Sequence, residues 1–104
     1  MATPPLLSDE ARQAALAKAA EARRVRADAK ARLKHGELSF PDLLTAAETD
    51  EILNNTKILT ILESLPGVGK VKARRTMEAI GIAESRRIRG LGDNQRRELL
   101  AAFG

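Results

Sequence analysis

The chain has 104 residues, with 18 lysines and arginines against 14 aspartates and glutamates, one histidine and no cysteine. A chain of this length forms one small domain with a modest core, and its cysteine and histidine content excludes disulfides and argues against a metal site. No apolar run approaches the length of a membrane span, and residues 1–5 lack a signal-peptide pattern, so we expect a soluble intracellular protein without a cofactor.

Charge is segregated along the chain. Residues 8–36 carry a net charge of +4, residues 37–56 carry −5, and residues 57–104 carry +5. A merely solvated surface would mix its signs more evenly, so this pattern predicts a polyanion-binding face with an acidic side turned away from it. The only aromatic residues, Phe40 and Phe103, occupy apolar positions. Without exposed rings to stack on bases, duplex binding through the backbone is favoured over single-strand recognition.

The first predicted element is a long helix. Ser8 is a suitable N-cap and Gly36 a suitable C′ residue, which predicts about 28 helical residues spanning about 42 Å. One face collects the apolar residues Leu7, Ala11, Ala14, Ala15, Ala22, Val25, Ala29 and Leu33. A stripe about a quarter turn away collects the basic residues Arg12, Arg23, Arg26, Lys30 and Lys34. We interpret residues 1–36 as a basic arm that packs weakly because its apolar face is mostly alanine; the alternative is a solvated helix stabilised by charge pairs.

Residues 37–104 read as a series of shorter helices. Ser39 caps the first, and Thr49–Glu51 opens another that Asn54–Asn55 interrupts. Further helices are expected over Lys57–Ser64, over Gly69–Ile80 and over Asp93–Phe103. No run alternates with period two, so we expect an all-α fold with a long N-terminal helix followed by a compact helical core over residues 37–104.

A glycine hairpin joins two of these helices. Residues 65–73 read Leu-Pro-Gly-Val-Gly-Lys-Val-Lys-Ala. Glycines permit a tight turn and close approach of a ligand, and the following helix offers unpaired N–H groups and the positive end of its dipole. The alternative is simple punctuation between helices, but the whole string matches the helix-hairpin-helix motif, whose amides grip a nucleic-acid phosphate.

A second segment, Ile88–Asp93, repeats the hydrophobic-Gly-hydrophobic-Gly order and is preceded by a run of arginines. We expect the amides of Gly90–Asp93 to bind a backbone phosphate, as those of the first hairpin do. Those arginines could serve solubility and surface ion pairs, yet such pairs contribute little stability, and arginine is well suited to phosphate oxygens and narrow minor grooves. The candidate DNA-contacting residues are Pro66, Gly67, Val68, Gly69, Lys70, Lys72 and Arg74 around the first hairpin, Arg86, Arg87, Arg89, Gly90, Leu91, Gly92, Asn94, Arg96 and Arg97 around the second, and Arg12, Arg23, Arg26, Lys30 and Lys34 on the long helix.

Several motifs in order resemble the actinobacterial integration host factor family over essentially the whole chain. They are the long Ala/Arg helix, Gly-Glu-Leu-Ser-Phe-Pro-Asp-Leu-Leu at 36–44, the hairpin at 65–73 and Arg-Arg-Ile-Arg-Gly-Leu-Gly-Asp at 86–93. The resemblance implies a helix-two-turns-helix core related to a small-subunit ribosomal protein and to the DNA-binding domain of formamidopyrimidine-type glycosylases. It also implies a nucleoid-associated protein that binds duplex DNA with little sequence preference, shapes it and assists phage integration, with Arg86, Arg87 and Arg89 as the principal contacts and the hairpin Gly67–Lys70 as the second.

A catalytic role is not expected. Helix-hairpin-helix glycosylases share the Leu-Pro-Gly-Val-Gly string, but this chain has Val71 where they carry a nucleophilic lysine and Arg89 where they carry a catalytic aspartate. It begins Met1-Ala2-Thr3 where the formamidopyrimidine type has Pro-Glu, and it lacks a second domain to house a flipped base.

We therefore expect an architectural protein of the cytoplasmic nucleoid, with double-stranded DNA as its partner, phage integrase as a further partner on DNA, and no membrane contact. No long apolar seam is evident, which favours a monomer. The sequence leaves open whether DNA is bent or bridged. The alternative function is a ribosome-associated module for structured RNA, although the chain shows no long basic C-terminal tail; a pure protein adaptor would leave the basic hairpins unexplained.

Overall fold

The computed structural model describes residues 8–104 as helices joined by short turns. In chain order these are α1 Asp9–Lys34, α2 Phe40–Ala47, α3 Glu51–Asn54, α4 Ile58–Ser64, α5 Gly69–Ile80, a 3₁₀ turn Ile88–Gly90, and α6 Asp93–Phe103. The expected all-α class is confirmed: the described residues include no strand, and one isolated antiparallel bridge pairs Lys57 with Arg87. No helix in this part of the chain is both long and apolar enough to cross a membrane.

Side-chain caps fix where the helices begin. The Ser8 hydroxyl accepts a hydrogen bond from the Ala11 amide at 3.1 Å, and the Ser39 hydroxyl accepts one from the Asp42 amide at 3.2 Å. Asp50 accepts from the amides of Ile52 and Leu53 at the start of α3. Each cap satisfies backbone donors that the first helical turn leaves unpaired. These starts agree with the sequence-based predictions.

The core lies between α1, α2, α4, α5 and α6. Its buried side chains are Ala29, Leu33, Phe40, Leu43, Leu44, Ala47, Leu53, Ile58, Ile61, Leu62, Ala73, Met77, Ile82, Ile88 and Leu99. The rings of Phe40 and Phe103 meet edge to face with their centroids 6.3 Å apart, so both aromatics pack inward as expected.

The long helix α1 is anchored at one end only. Its buried residues, Ala29 and Leu33, lie in the last turns, where it contacts α3 and α4. Ala14 and Ala15 are exposed, which agrees with the weak packing expected of a mostly alanine face; Leu7 lies outside the described residues. Alanine offers too little apolar area to hold the N-terminal half of α1 against the core. The helix spans about 39 Å, and the described molecule measures 57 Å along its longest axis.

Candidate nucleic-acid interface

The first hairpin presents unpaired backbone N–H groups. Gly67 and Gly69 have φ angles of +74° and +71°, in the left-handed region that favours glycine. The turn is closed by the Val68 amide, which donates to the Leu65 carbonyl at 3.2 Å. By contrast, the amides of Gly67, Gly69 and Lys70 donate to no acceptor within residues 8–104. These three residues are exposed at the positive end of the 12-residue helix α5, a site suited to an anion.

Side chains around this hairpin add positive charge. Lys70 and Lys72 are exposed in the first turn of α5, and Pro66 is exposed on the preceding bend, while Val68 is half-buried and holds the turn to the core. Arg74 lies one turn further on and pairs with Glu84 at 2.9 Å, with both side chains more than half exposed. An exposed pair of this kind is weak, so Arg74 can exchange its partner for a phosphate.

The second glycine segment has a different backbone. Gly90 ends a 3₁₀ turn, and Gly92 has φ −74° and ψ 162°, so neither glycine is left-handed. The amides of Gly90 and Leu91 donate to the carbonyls of Arg87 and Ile88, and the Gly92 amide donates to the Gln95 side chain at 3.0 Å. This segment therefore does not repeat the backbone of the first hairpin: the amides from Gly90 to Gly92, which were expected to bind phosphate, are already paired.

At position 90 a larger residue would crowd a neighbouring side chain, although the φ angle is ordinary. A Cβ there would lie 3.1 Å from Cδ of Arg86, whose guanidinium donates to the Gly90 carbonyl at 2.8 Å. The arginine side chain thus folds over the glycine. A ligand would therefore contact the side chains of this segment, which are held on a fixed turn.

The arginine run is fixed by pairing with the turn before α4. The Ile58 amide donates to the Arg86 carbonyl and the Ile88 amide to the Thr56 carbonyl, each at 3.0 Å. The Arg87 guanidinium donates to the Asn55 carbonyl at 2.6 Å. Exposed arginines held in this way lose less conformational freedom on binding than free ones.

The basic stripe of α1 continues this surface. Arg23, Arg26 and Lys30 line one groove together with Arg87 and Lys57. Lys30 and Lys34 also line a second groove, whose opposite wall is the first hairpin, residues 65–70. The C-terminal half of the stripe therefore lies beside both the arginine run and the hairpin. We call this continuous region, from Arg23 and Arg87 to the hairpin, the basic surface.

Other predicted residues lie apart from these two grooves. Arg12 is exposed on the projecting half of α1, about 16 Å along the helix from Arg23. Arg89 lines a shallow hollow with Glu51, Asn54 and Asn55. On α6, Asn94 and Arg97 are exposed and Arg96 is half-buried, and none of the three lines either groove.

Lys57 is a residue of this surface that sequence reasoning missed. It follows the acidic segment and sits thirty positions before Arg87, and no local pattern links the two. The link is the antiparallel bridge between them, which only the tertiary fold creates.

Glu63 is the acidic residue among those that line the groove between α1 and the first hairpin. On α1, Arg24 pairs with Glu21 at 2.6 Å, and this hydrogen-bonded carboxylate raises the pKa of Arg24 above its ordinary value. No carboxylate appears among the residues that line the groove of Arg23 and Arg87, and the described chain groups no three acidic or histidine side chains that could hold a metal.

Comparison with known proteins agrees with this architecture. Residues 33–103 match the family model of the S13-like H2TH domain. The chain is 56% identical over 99 residues to the integration host factor of Mycolicibacterium smegmatis, covering 95% of this chain and 94% of that protein. It is 54% identical over 100 residues to that of Mycobacterium tuberculosis, with coverages of 96% and 95%. It is 51% identical over 104 residues to that of Streptomyces coelicolor, covering 100% of this chain and 96% of the relative.

A solved structure is also similar. It is the structure of sIHF bound to an 8 bp palindromic DNA, which superposes with a TM-score of 0.80 at 49% identity and covers 84% of this chain and 98% of its own. The resemblance drawn from the motifs is confirmed. With its helix-two-turns-helix core and this identity over nearly the full length of three relatives, the chain belongs to the integration host factor family.

Proposed function

We propose that this protein binds duplex DNA through its backbone phosphates, largely without sequence preference, and shapes the DNA as an architectural component of the cytoplasmic nucleoid. The observation that carries the proposal is the basic surface: free hairpin amides, the fixed Arg87 and the cationic stripe of α1 border two adjoining grooves. The DNA-bound state of the similar solved structure supports it.

The groups on this surface suit phosphate oxygens better than base edges. Hairpin amides at a helix N-terminus bind an anion irrespective of sequence, and the exposed lysines and arginines neutralise neighbouring phosphates. Arg86 and Arg87 come just before the 3₁₀ turn and Arg89 lies on it, and arginine is a side chain suited to a narrow minor groove. In this proposal the two parts assigned from sequence have different roles. The arm, residues 1–36, follows the DNA backbone, and the core, residues 37–104, carries the two glycine segments.

DNA shape changes if the duplex follows more than one part of this surface. Contacts at the hairpin and along α1 at once require the duplex to bend around the protein, or allow two duplexes to be bridged. The elastic cost of a bend is a few kcal/mol, which added phosphate contacts offset. We propose that the protein acts as a monomer without catalysis, and that phage integrase meets it on such shaped DNA.

The test is a salt titration of fluorescence anisotropy with labelled duplex DNA and a length-matched structured RNA, since the chain has no Trp or Tyr. With about five to seven phosphate contacts, log affinity for the duplex should fall with log salt at a slope of about −4 to −6. A slope shallower than about −2 would refute the phosphate model. Preference for the RNA would instead support the ribosome-associated alternative. Ligase-catalysed circularisation of short duplexes then separates bending, which promotes monomeric circles, from bridging, which promotes joined dimers.

A further inference from the structure

A notch between α1 and the turn before α4 gathers positive charge in a concave space. It has a volume of about 440 Å³ and is lined by five cationic side chains, Arg23, Arg26, Lys30, Lys57 and Arg87. Its remaining lining residues are Ala27, Asn55, Thr56 and Thr60. None of these nine residues is acidic, so no carboxylate in the lining offsets the mutual repulsion of the cations.

The notch has a fixed wall. Arg87 is held by its 2.6 Å hydrogen bond to the Asn55 carbonyl, and the buried Thr56 hydroxyl donates to the Ile52 carbonyl at 2.8 Å. Arg26 is half-buried on the opposite, helical wall. The two ion pairs found among residues 8–104, at Arg24 and Arg74, involve none of the five cations. The five cations of the notch therefore have no ion-pair partner among residues 8–104, and an external anion can bind them.

Charge matching points to a compact anion. A sphere of 440 Å³ is about 9 Å across, and a DNA strand carries one phosphate per about 3.4 Å of rise, so a strand crossing the notch brings at most about three charges. A chain of three condensed phosphates carries about four to five charges near neutral pH in a smaller volume. It therefore matches the five cations more closely than a duplex does.

We propose that this notch is a binding site for a short condensed phosphate chain of three or four phosphoryl groups, and that its occupation displaces DNA from the α1 side of the basic surface. Binding of the oligophosphate does not depend on the proposed function, whereas the displacement of DNA rests on it. In this proposal the oligophosphate regulates DNA binding, because both ligands use Arg26 and Arg87.

The direct test is calorimetric titration of the full chain with inorganic tripolyphosphate, without DNA, at about 0.15 M salt. We expect one saturable site, and at least a tenfold loss of affinity in Arg26→Gln/Arg87→Gln. A second pair, Lys30→Gln/Lys57→Gln, removes the same charge at two exposed positions and should show a similar loss. Arg32→Gln with Arg75→Gln is the matched control, since neither residue lines the notch, and it should bind like the unsubstituted chain. No saturable binding, or equal binding by notch and control variants, would overturn the proposal.

The competition arm follows a labelled duplex by anisotropy while tripolyphosphate is added. Tripolyphosphate should release the duplex at concentrations where potassium chloride of equal ionic strength does not. Loss of duplex binding in the notch variants without any tripolyphosphate site would make the notch a DNA-backbone contact and refute the oligophosphate proposal. One tripolyphosphate site in a chain that binds no duplex would keep the site and refute the proposed function instead.

Discussion

The two glycine segments share the same order of hydrophobic residues and glycines but differ in backbone structure. In the first hairpin, two left-handed glycines leave outward amides unpaired, so the backbone itself is the ligand-binding group. In the second, Gly90 and Gly92 have ordinary φ angles and every amide from Gly90 to Gly92 is internally bonded, so the exposed arginines are what remains. The same glycine spacing thus produces backbone amides that can bind a ligand in the first hairpin, but a turn that supports arginine side chains in the second segment.

The largest effect should come from removing the arginines of the second segment. We expect Arg86→Gln/Arg87→Gln/Arg89→Gln to weaken duplex binding on the order of 100-fold, since each charge-assisted contact contributes about 1 kcal/mol or more. The salt slope should become shallower by about 2.7, from about 0.9 per phosphate contact. Anisotropy at several salt concentrations, on unrelated duplexes, measures both.

The control for that experiment removes the same net charge at other positions. The variant Arg24→Gln/Arg32→Gln/Arg75→Gln removes three positive charges away from the two grooves. An equal loss in this variant would show that the second segment has no special role. A loss that depends strongly on sequence would indicate base readout instead of phosphate binding.

Alanine substitution of the glycines tests whether the two segments differ in backbone conformation, because only a left-handed glycine should be costly to replace. A Cβ at Gly67 or Gly69 meets no atom within 4 Å, so its cost is purely conformational, and we expect each substitution to lower the free energy of unfolding by about 1–2 kcal/mol. At Gly92 φ is −74° and the nearest contact is an ordinary 3.7 Å, so Gly92→Ala carries no such strain. Because Gly92 is the N-cap of α6, where alanine is less favourable than glycine, we expect a loss of only about 0.5 kcal/mol. Urea unfolding provides the values, and equal costs at all three positions would contradict the comparison.

A smaller effect is expected from Arg87→Lys. Lysine keeps the charge but cannot reproduce the 2.6 Å bond from the guanidinium to the Asn55 carbonyl while also forking onto a phosphate. Duplex affinity should fall several-fold with the salt slope unchanged. An unchanged affinity would mean that charge alone matters at this position and that the fixed geometry does not.

The smallest effect on duplex affinity should come from Gln95→Ala, which frees the Gly92 amide. The substitution removes two hydrogen bonds, one that Gln95 accepts from the Gly92 amide at 3.0 Å and one that it donates to the Gly81 carbonyl at 3.4 Å. It should lower the free energy of unfolding by about 1–1.5 kcal/mol and leave duplex affinity within about twofold. A gain in affinity would indicate that an unpaired amide at Gly92 can bind phosphate after all. The same urea and anisotropy measurements apply.

Local signals predicted much of this fold. Ser8, Ser39 and Asp50 mark helix starts because their side chains bond to nearby amides, and such contacts depend on a few neighbouring residues. The bridge between Lys57 and Arg87 was not predictable in this way, since it joins residues far apart in the chain. The backbone of the second glycine segment was not predictable for the same reason. It follows from pairing of the arginine run with Thr56 and Ile58, which lie far away in the sequence.

The one-sided anchoring of α1 has a consequence for hydrogen exchange. Residues 9–21 are almost entirely solvent-exposed, and an isolated helix of this length is marginal in water even when rich in alanine. Its amides should exchange with solvent in a gradient, fastest near the N-cap and slowing toward the buried turn at Ala29. Any ligand lying along this half would slow that exchange while leaving the core amides as they were, so deuterium uptake reports occupancy of the arm separately from occupancy of the core.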